Sequence, residues 1–313
     1  MASSAPRTAL TALGAVGAVG VAAAIWGIGI ERYLFTVRFH EVPILPAGAA
    51  PLRVLHLSDA HMAPWQRRKQ QWMAALAELE PDLVVNTGDN IGHEHGLRGL
   101  RRAFDPLHGI PGVFVHGSND HVAPSPRNPF KYFVGPSKGG ADRSWEPLDT
   151  QALDGYLAEE LGWLDLNNAV GALEVAGQRI DAFGVSDAHR GWDRLDVLPD
   201  LIEELRDEDP AVPMIGVTHA PYRRVLDDFV DLGADMIFAG HTHGGQVRIP
   251  GSPAALVANC DIPLRQARGL SRWTRLDRTV PLNVSAGLGH SIYAPVRFAC
   301  RPEASLITLT AAG

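Results

Sequence analysis

A set of polar side chains stands just after short apolar runs: Asp59 and His61, Asp89, Asn119, His219, then His241 and His243. All offer nitrogen or oxygen donors of intermediate hardness. Such a mixture suits Mn, Fe or Zn better than Ca or Mg. Two ions held a few ångströms apart need about this many protein donors, with a carboxylate shared between them. Each motif alone is weak, because Asp-x-His and Gly-Asp are common by chance. Gly240-His241-Thr242-His243 says more, since two histidines between small residues build little core. The ordered recurrence after separate apolar runs is the strong signal.

The elements that must position these residues can be read from the same pattern. Leu52–Leu57 is a short apolar run that predicts a buried strand and ends at Ser58-Asp59-Ala60-His61. Leu83 to Val85 predicts the next strand and stops before Gly88-Asp89-Asn90, and Val113 to Val115 a third, before Gly117-Ser118-Asn119-Asp120. Met214 to Val217 leads to His219, and Met236 to Phe238 to Gly240-His241. Helical spacing fills Gln66 to Leu79, Leu97 to Leu107, Gln151 to Leu161, Val197 to Arg206 and Tyr222 to Leu232. Ala172 to Val175 and Arg179 to Val185 predict a hairpin with Gly177 at its turn, and Leu282 to Val284 and Leu306 to Leu309 predict late strands. His121 to Asp149, rich in Pro, Gly and Ser, predicts a long surface loop. Strands alternating with helices imply an α/β layered fold. In such sheets the strand C-terminal ends form the ligand crevice, so separate segments deliver their polar residues to one place.

The order Asp59-x-His61, Gly88-Asp89-Asn90, Gly117-Ser118-Asn119-Asp120, His219, Gly240-His241-Thr242-His243 resembles the calcineurin-like metallophosphoesterase family. With Gly244-Gly245-Gln246 and the apolar N-terminus, it is similar to a membrane-associated branch of that family. The resemblance implies a four-layer β-sandwich flanked by helices. It implies that Asp59, His61 and His243 hold one metal, that Asp89 bridges, and that Asn119, His219 and His241 hold the second. It implies a metal-bridging hydroxide as nucleophile, attacking the phosphorus of a phosphoester or phosphoanhydride.

The chain departs from the family at one point. Relatives carry Gly-Asn-His followed by an acid, where Asn ligates and His assists the leaving group. Aligned without a gap, Ser118 falls at the Asn position and Asn119 at the His position. Shifted by one, Asn119 is the ligand and Asp120 stands where His would be. The shift is favoured because an amide oxygen ligates better than a hydroxyl. Asn119, Asp120 and His121 are therefore the candidate catalytic residues, with His93 and His95 as possible stand-ins for the missing acid. A weaker acid suits good leaving groups, which leans the expectation toward phosphodiesters or pyrophosphates. Ser-Asp-Ala-His occurs again at Ser186 to His189; there Asp187 and His189 fit a capped turn, or a pocket wall if the two halves of the fold face each other. A second reading of the whole chain is a catalytically weak or inactive scaffold that binds a partner. The nearly complete ligand set argues against it.

Composition narrows the partners. The 313 residues carry a net charge of −7, against the basic face that a nucleic-acid binder uses to displace counterions. An anionic substrate, phosphorylated or lipid-linked, must then be drawn in locally, as bound metal ions would do. Cys260 and Cys300 form no framework; a single disulfide becomes reasonable only outside the cytoplasm. Thr8 to Ile30 holds no charge and is about long enough to span a bilayer. A cleaved signal peptide ending near Ala22 or Ala24 is the alternative to an anchor, but the apolar run continues through Ile25, Trp26 and Ile28. The expected organisation is an anchor over 1–32, a linker with a lead-in strand over 33–51, and the metallophosphoesterase domain over 52–313. Arg7, Arg32 and Arg38 give no clear orientation; the domain is expected on the extracytoplasmic side.

Overall fold

The computed structural model describes residues 17–126, 146–206 and 212–312. Two six-stranded sheets face each other. The first runs β1 (Thr36–Leu45), β12 (Glu303–Ala311), β2 (Leu52–Leu57), β3 (Leu83–Asn86), β4 (Gly112–Phe114) and β5 (Leu164–Asp165). The second runs β10 (Gly269–Arg275), β11 (Arg278–Val284), β9 (Met236–Ala239), β8 (Met214–Thr218), β7 (Gln178–Val185) and β6 (Ala169–Val175). Strands β2 to β5 are parallel, as are β7, β8, β9 and β11.

Side-chain alternation explains the layers. In β2, Leu52 and Val54 point into the space between the sheets, where they meet residues such as Val85, Ile215 and Phe238. Leu55 and Leu57 point outward, onto helices α1 (Arg67–Ala74) and α2 (Leu97–Phe104). On the far side, α3 (Leu198–Arg206) and α4 (Arg223–Asp231) cover the second sheet through Ile202, Leu226 and Phe229. Both faces of the central strands are buried, which is why they read as continuous apolar runs. The fold is thus a four-layer helix–sheet–sheet–helix sandwich. One polar link crosses between the sheets: His56 of β2 meets Asn283 of β11 at 2.7 Å and Thr87 Oγ1 at 3.0 Å. Burial lowers the His56 pKa to about 3, so the link is neutral.

Some elements differ from the sequence expectation. The lead-in segment forms a ten-residue strand, β1, paired in parallel with β12, so the first sheet begins well before Leu52. Strand β10 went unforeseen because, of its seven residues, only Trp273 is buried. Most of the long loop, residues 127–145, lies outside the described residues. Cys260 and Cys300 are both free.

At the N-terminus, residues 17–24 are helical and continue as a π-turn over Ile25–Ile30 and a 3₁₀ turn over Glu31–Tyr33. Gly27 packs against the backbone of Arg297, and its carbonyl accepts from the Arg297 N–H at 3.1 Å. Buried Glu31 accepts from the N–H groups of Ala299 and Cys300 and from Trp26 Nε1. No helix among the described residues is long and apolar enough to cross a membrane. The first half of the expected apolar stretch, up to residue 16, lies outside them.

Candidate metal centre

The loops leaving β2, β3, β4, β8 and β9 meet at one end of the sandwich, at the C-terminal ends of parallel strands. Backbone strain marks the place. Asp59, His61, Asp89, His241 and His243 all hold positive φ, between 39° and 66°, a region that non-glycine residues rarely enter. Each such residue costs roughly 1–3 kcal/mol, and such outliers gather at functional sites. The loops also approach too closely for ordinary side chains. A Cβ on Gly240 would collide with Ser58 Oγ, and one on Gly117 with the Asp89 carboxylate.

Two groups of potential ligands result. Asp59, His61 and His243 form one, and Asp59, Asp89 and His219 the other, each with its donor atoms within 4.8 Å of one another. His61 Nε2 and His243 Nε2 face each other at 3.1 Å, and His243 Nε2 lies 3.4 Å from Asp59 Oδ1. Asp89 Oδ2 lies 3.5 Å from Nε2 of both His61 and His219, one imidazole from each group. His241 Nδ1 is 3.3 Å from His219 Nε2.

Outer contacts turn the donors inward. His219 Nδ1 donates to the Thr87 carbonyl at 2.7 Å, which leaves its Nε2 facing the centre. His241 Nε2 lies 3.2 Å from both the carbonyl and the Nδ2 of Asn259, and its Nδ1 faces His219. His243 Nδ1 faces the Gly289 carbonyl at 3.3 Å and presents Nε2. Asp59 Oδ2 accepts from Ser58 Oγ and from the His241 N–H, while its Oδ1 is buried with no hydrogen-bond partner. A buried carboxylate oxygen left without a donor, beside imidazole lone pairs that converge on it, is what a cation site requires.

The electrostatics agree. Burial pushes Asp59 up, to about 7, against the pull of His219. Burial would also raise Asp89, but His219 and His61 hold it well below the usual carboxylate range. Burial lowers His61 to about 4 and takes His241 and His243 well below their ordinary value, so all three imidazoles are neutral donors. His219 rises well above its ordinary value: burial opposes this, but Asp89, Asp187 and Asp59 surround it. Buried carboxylates drawing positive charge into one spot are the setting in which divalent ions bind.

The remaining sequence candidates separate. Asn119 sits beside the centre, its backbone N–H on Asp89 Oδ1 at 2.9 Å and its Nδ2 on Oδ2 at 2.7 Å. Ser118 lines the same cleft. Asp120 is placed differently from its expected role at the leaving group. It is fully buried, and its carboxylate accepts from the backbone N–H groups of Asp89, Asn90, Ile91 and Gly117. It buttresses the Asp89 loop from beneath. His121 packs edge-on against Trp192 and His116 rather than on the ligand cluster. His93 and His95 meet at a tilt, and His93 also packs edge-on against Trp65, outside the cleft lining.

The second Ser-Asp-Ala-His segment does reach the cleft. His189 and Arg190 line it, with the His189 ring 4.5 Å from that of His241 and its Nδ1 2.9 Å from Tyr222 Oη. Asp187 caps this turn by accepting from the His189 N–H at 2.8 Å. The repeat of the tetrapeptide after strand β7 was the available signal. One stretch of the cleft wall is apolar, with Val247, Leu256, Val257, Tyr293, Ala294 and Val296.

Fold and site together define a metal-dependent phosphoesterase. The family model for the calcineurin-like phosphoesterases matches residues 52–245, and the chain belongs to that family. It is a hydrolase acting on phosphoesters, with a site suited to divalent metal ions. An uncharacterized metallophosphoesterase of Bacillus subtilis, YkoQ, is 23% identical over 274 residues, covering 86% of this chain and 87% of its own. Phosphodiesterase YaeI of Escherichia coli is 24% identical over 295 residues, covering 90% and 93%. A bovine transmembrane protein with a metallophosphoesterase domain is 27% identical over 233 residues; the match spans 70% of this chain and 46% of the bovine one.

Proposed function

We propose that the protein is a phosphodiesterase with a dinuclear metal centre, working at a membrane surface. The observation that carries this is the pair of ligand groups sharing Asp59, with Asp89 Oδ2 equidistant from an imidazole of each. In this reading Asp59, His61 and His243 would hold one ion and His219, His241 and Asn119 the other, with Asp89 and the shared Asp59 between them. With an ion present, the Asn119 amide would turn to offer Oδ1 in place of the Nδ2 that now donates to Asp89. Bound there, a transition-metal pair (Mn, Fe or Zn) supplies a water of lowered pKa and neutralises charge on the phosphate oxygens.

The chain's own residues do the rest. Asp89 and Asp59 fix the spacing of the imidazoles. Arg190, on the cleft wall, is placed to receive a phosphate oxygen, since a guanidinium matches that anion with paired donors. The wall from Leu256 to Val296 favours an ester whose second arm is apolar, such as a lipid-linked phosphate. The apolar N-terminal helix supports work beside a membrane.

The test is metal content and substrate class of the full chain in uncharged detergent. Near two transition-metal ions per chain, and faster turnover of an aryl phosphodiester than of the monoester, are expected. A single ion per chain, or a preference for monoesters, overturns the reading.

A further inference from the structure

A second cavity lies outside the metal centre, between the foot of the N-terminal helix and the start of α1. Arg32 and Tyr33 form one side, and Trp65, Arg67 and Arg68 the other. The Arg32 guanidinium sits 4.5 Å from the Tyr33 ring centre and that of Arg68 sits 5.8 Å from it. Among the described residues, no carboxylate forms an ion pair with Arg32, Arg67 or Arg68, whereas Arg38, Arg194 and Arg224 each hold one. Arg32 Nε is buried with no hydrogen-bond partner. Lys69 is not part of this surplus, because its ammonium donates to the Ala60 and His61 carbonyls. The first turn of α1 carries no acid and no side-chain cap, so its N–H groups add to the positive field. In a chain of net charge −7, three cations gathered without an acid mark a place for an external anion.

What stands above the cavity says where the anion comes from. The helical segment that ends at Tyr33 exposes Val19, Val21, Ile25, Trp26, Ile28 and Ile30, each at least 42% accessible. Contiguous apolar exposure of this kind marks a contact surface. Its exit from the domain is pinned by Gly27 and Glu31, so Arg32 and Tyr33 sit at a set height below it. Arginines and aromatic rings at the end of an apolar helix occupy the headgroup level of a bilayer.

We infer that this cavity binds the phosphate of an anionic phospholipid headgroup and so seats the domain on the membrane. The inference rests on the reading of the N-terminal helix as a membrane element. It has a consequence for the cleft: Leu288 and Gly289 line this cavity, and Ser291, Tyr293 and Val296 of the same segment line the catalytic one. The catalytic cleft therefore opens beside the surface that the headgroup fixes.

The test is flotation of the full chain with vesicles of phosphatidylcholine alone or with added phosphatidylglycerol. Binding to both, stronger to the anionic vesicles, is expected. Arg67→Gln with Arg68→Gln should remove roughly fivefold of the anionic preference per charge, and adding Arg32→Gln should remove the rest. Binding to neutral vesicles and turnover of a soluble aryl phosphodiester should stay unchanged. Because Arg67 and Arg68 are exposed, the double variant folds as the parent does and reports even if the triple variant does not. An undiminished anionic preference in the double variant overturns the site. So does release from anionic vesicles by millimolar inorganic phosphate, which would make it a site for free phosphate. Binding to neither vesicle removes the membrane reading and the headgroup with it, while leaving the metal centre standing.

Discussion

Asp120 Oδ2 accepts a hydrogen bond from the backbone N–H of Asp89 at 2.8 Å, so one buried acid sets the position of another. The same carboxylate holds the N–H groups of Asn90, Ile91 and Gly117. Asp120→Ala should strand these donors in a water-free interior and cost about 3–5 kcal/mol, a fall of roughly 10 °C in Tm. Asp120→Asn keeps one acceptor oxygen and should lose less stability. A leaving-group acid would behave in the opposite way: the Asn variant would keep its Tm and lose turnover. Thermal melts beside steady-state rates on a poor and a good leaving group separate the two roles.

His116 couples this buttress to the far side of the loop. Its Nε2 meets Asp154 at 2.6 Å and its Nδ1 lies 3.6 Å from Asp120. Burial pushes the imidazole down, but the two carboxylates outweigh it and hold the pKa up to about 9. The folded value is therefore above the unfolded one, near 6.5. The stabilisation is complete below about 6.5 and fades as pH rises through about 9; it is on the order of 3 kcal/mol. Stability should drop across that window, and His116→Gln should flatten the drop while lowering stability at pH 6. Chemical denaturation at stepped pH reads both; a parallel slope in the variant would assign the drop elsewhere.

Arg297 is fully buried and donates to the carbonyls of His243, Ala286, Gly287 and Gly289, with Nη2 3.3 Å from His243 Nδ1. It ties the segment that touches the N-terminal helix to one metal-facing imidazole. Arg297→Met should cost about 3 kcal/mol through orphaned carbonyls and weaken metal affinity by roughly 10–100-fold, as loss of an outer contact does. Arg297→Lys should recover little, because one ammonium cannot reach this fan of acceptors. Isothermal titration with Mn or Zn, alongside Tm, checks it.

How far the sequence carries depends on which force sets each element. The central strands are buried on both faces, so Leu52–Leu57 and Met214–Thr218 announce themselves as apolar runs. The candidate ligands stand directly after those runs, and the structure bends the loops of Asp59 and His241 through positive φ at that point. Strand β10 is an edge with one buried side chain and leaves no apolar signature. The role of Asp120 is not legible either, since a carboxylate that holds backbone N–H groups and one that faces substrate are the same letter. The repeated Ser-Asp-Ala-His offers His189 as a capped turn or a pocket wall, and the choice rests on the two halves of the fold facing each other, a long-range relation that local pattern does not encode.

Asp59 belongs to both ligand groups, whereas His61 and His243 belong to one and His219 to the other. That asymmetry makes a stoichiometric prediction. His61→Ala should release one ion and leave the second, since Asp59, Asp89 and His219 remain. His219→Ala should release the other. Asp59→Asn removes charge from both groups and should empty both, with hydrolysis of an aryl phosphodiester down by at least about 10²-fold in all three variants. Excess metal should restore part of the rate to the histidine variants, because a weakened site still fills by mass action, and none to Asp59→Asn. Metal analysis after gel filtration, with electron paramagnetic resonance of a Mn-loaded sample, reads the count directly. Spin coupling between paired ions should be present in the parent chain and absent from each histidine variant. If His61→Ala and His219→Ala instead release the same single ion, the two groups describe one site, and the cation they share lies between Asp59 and Asp89.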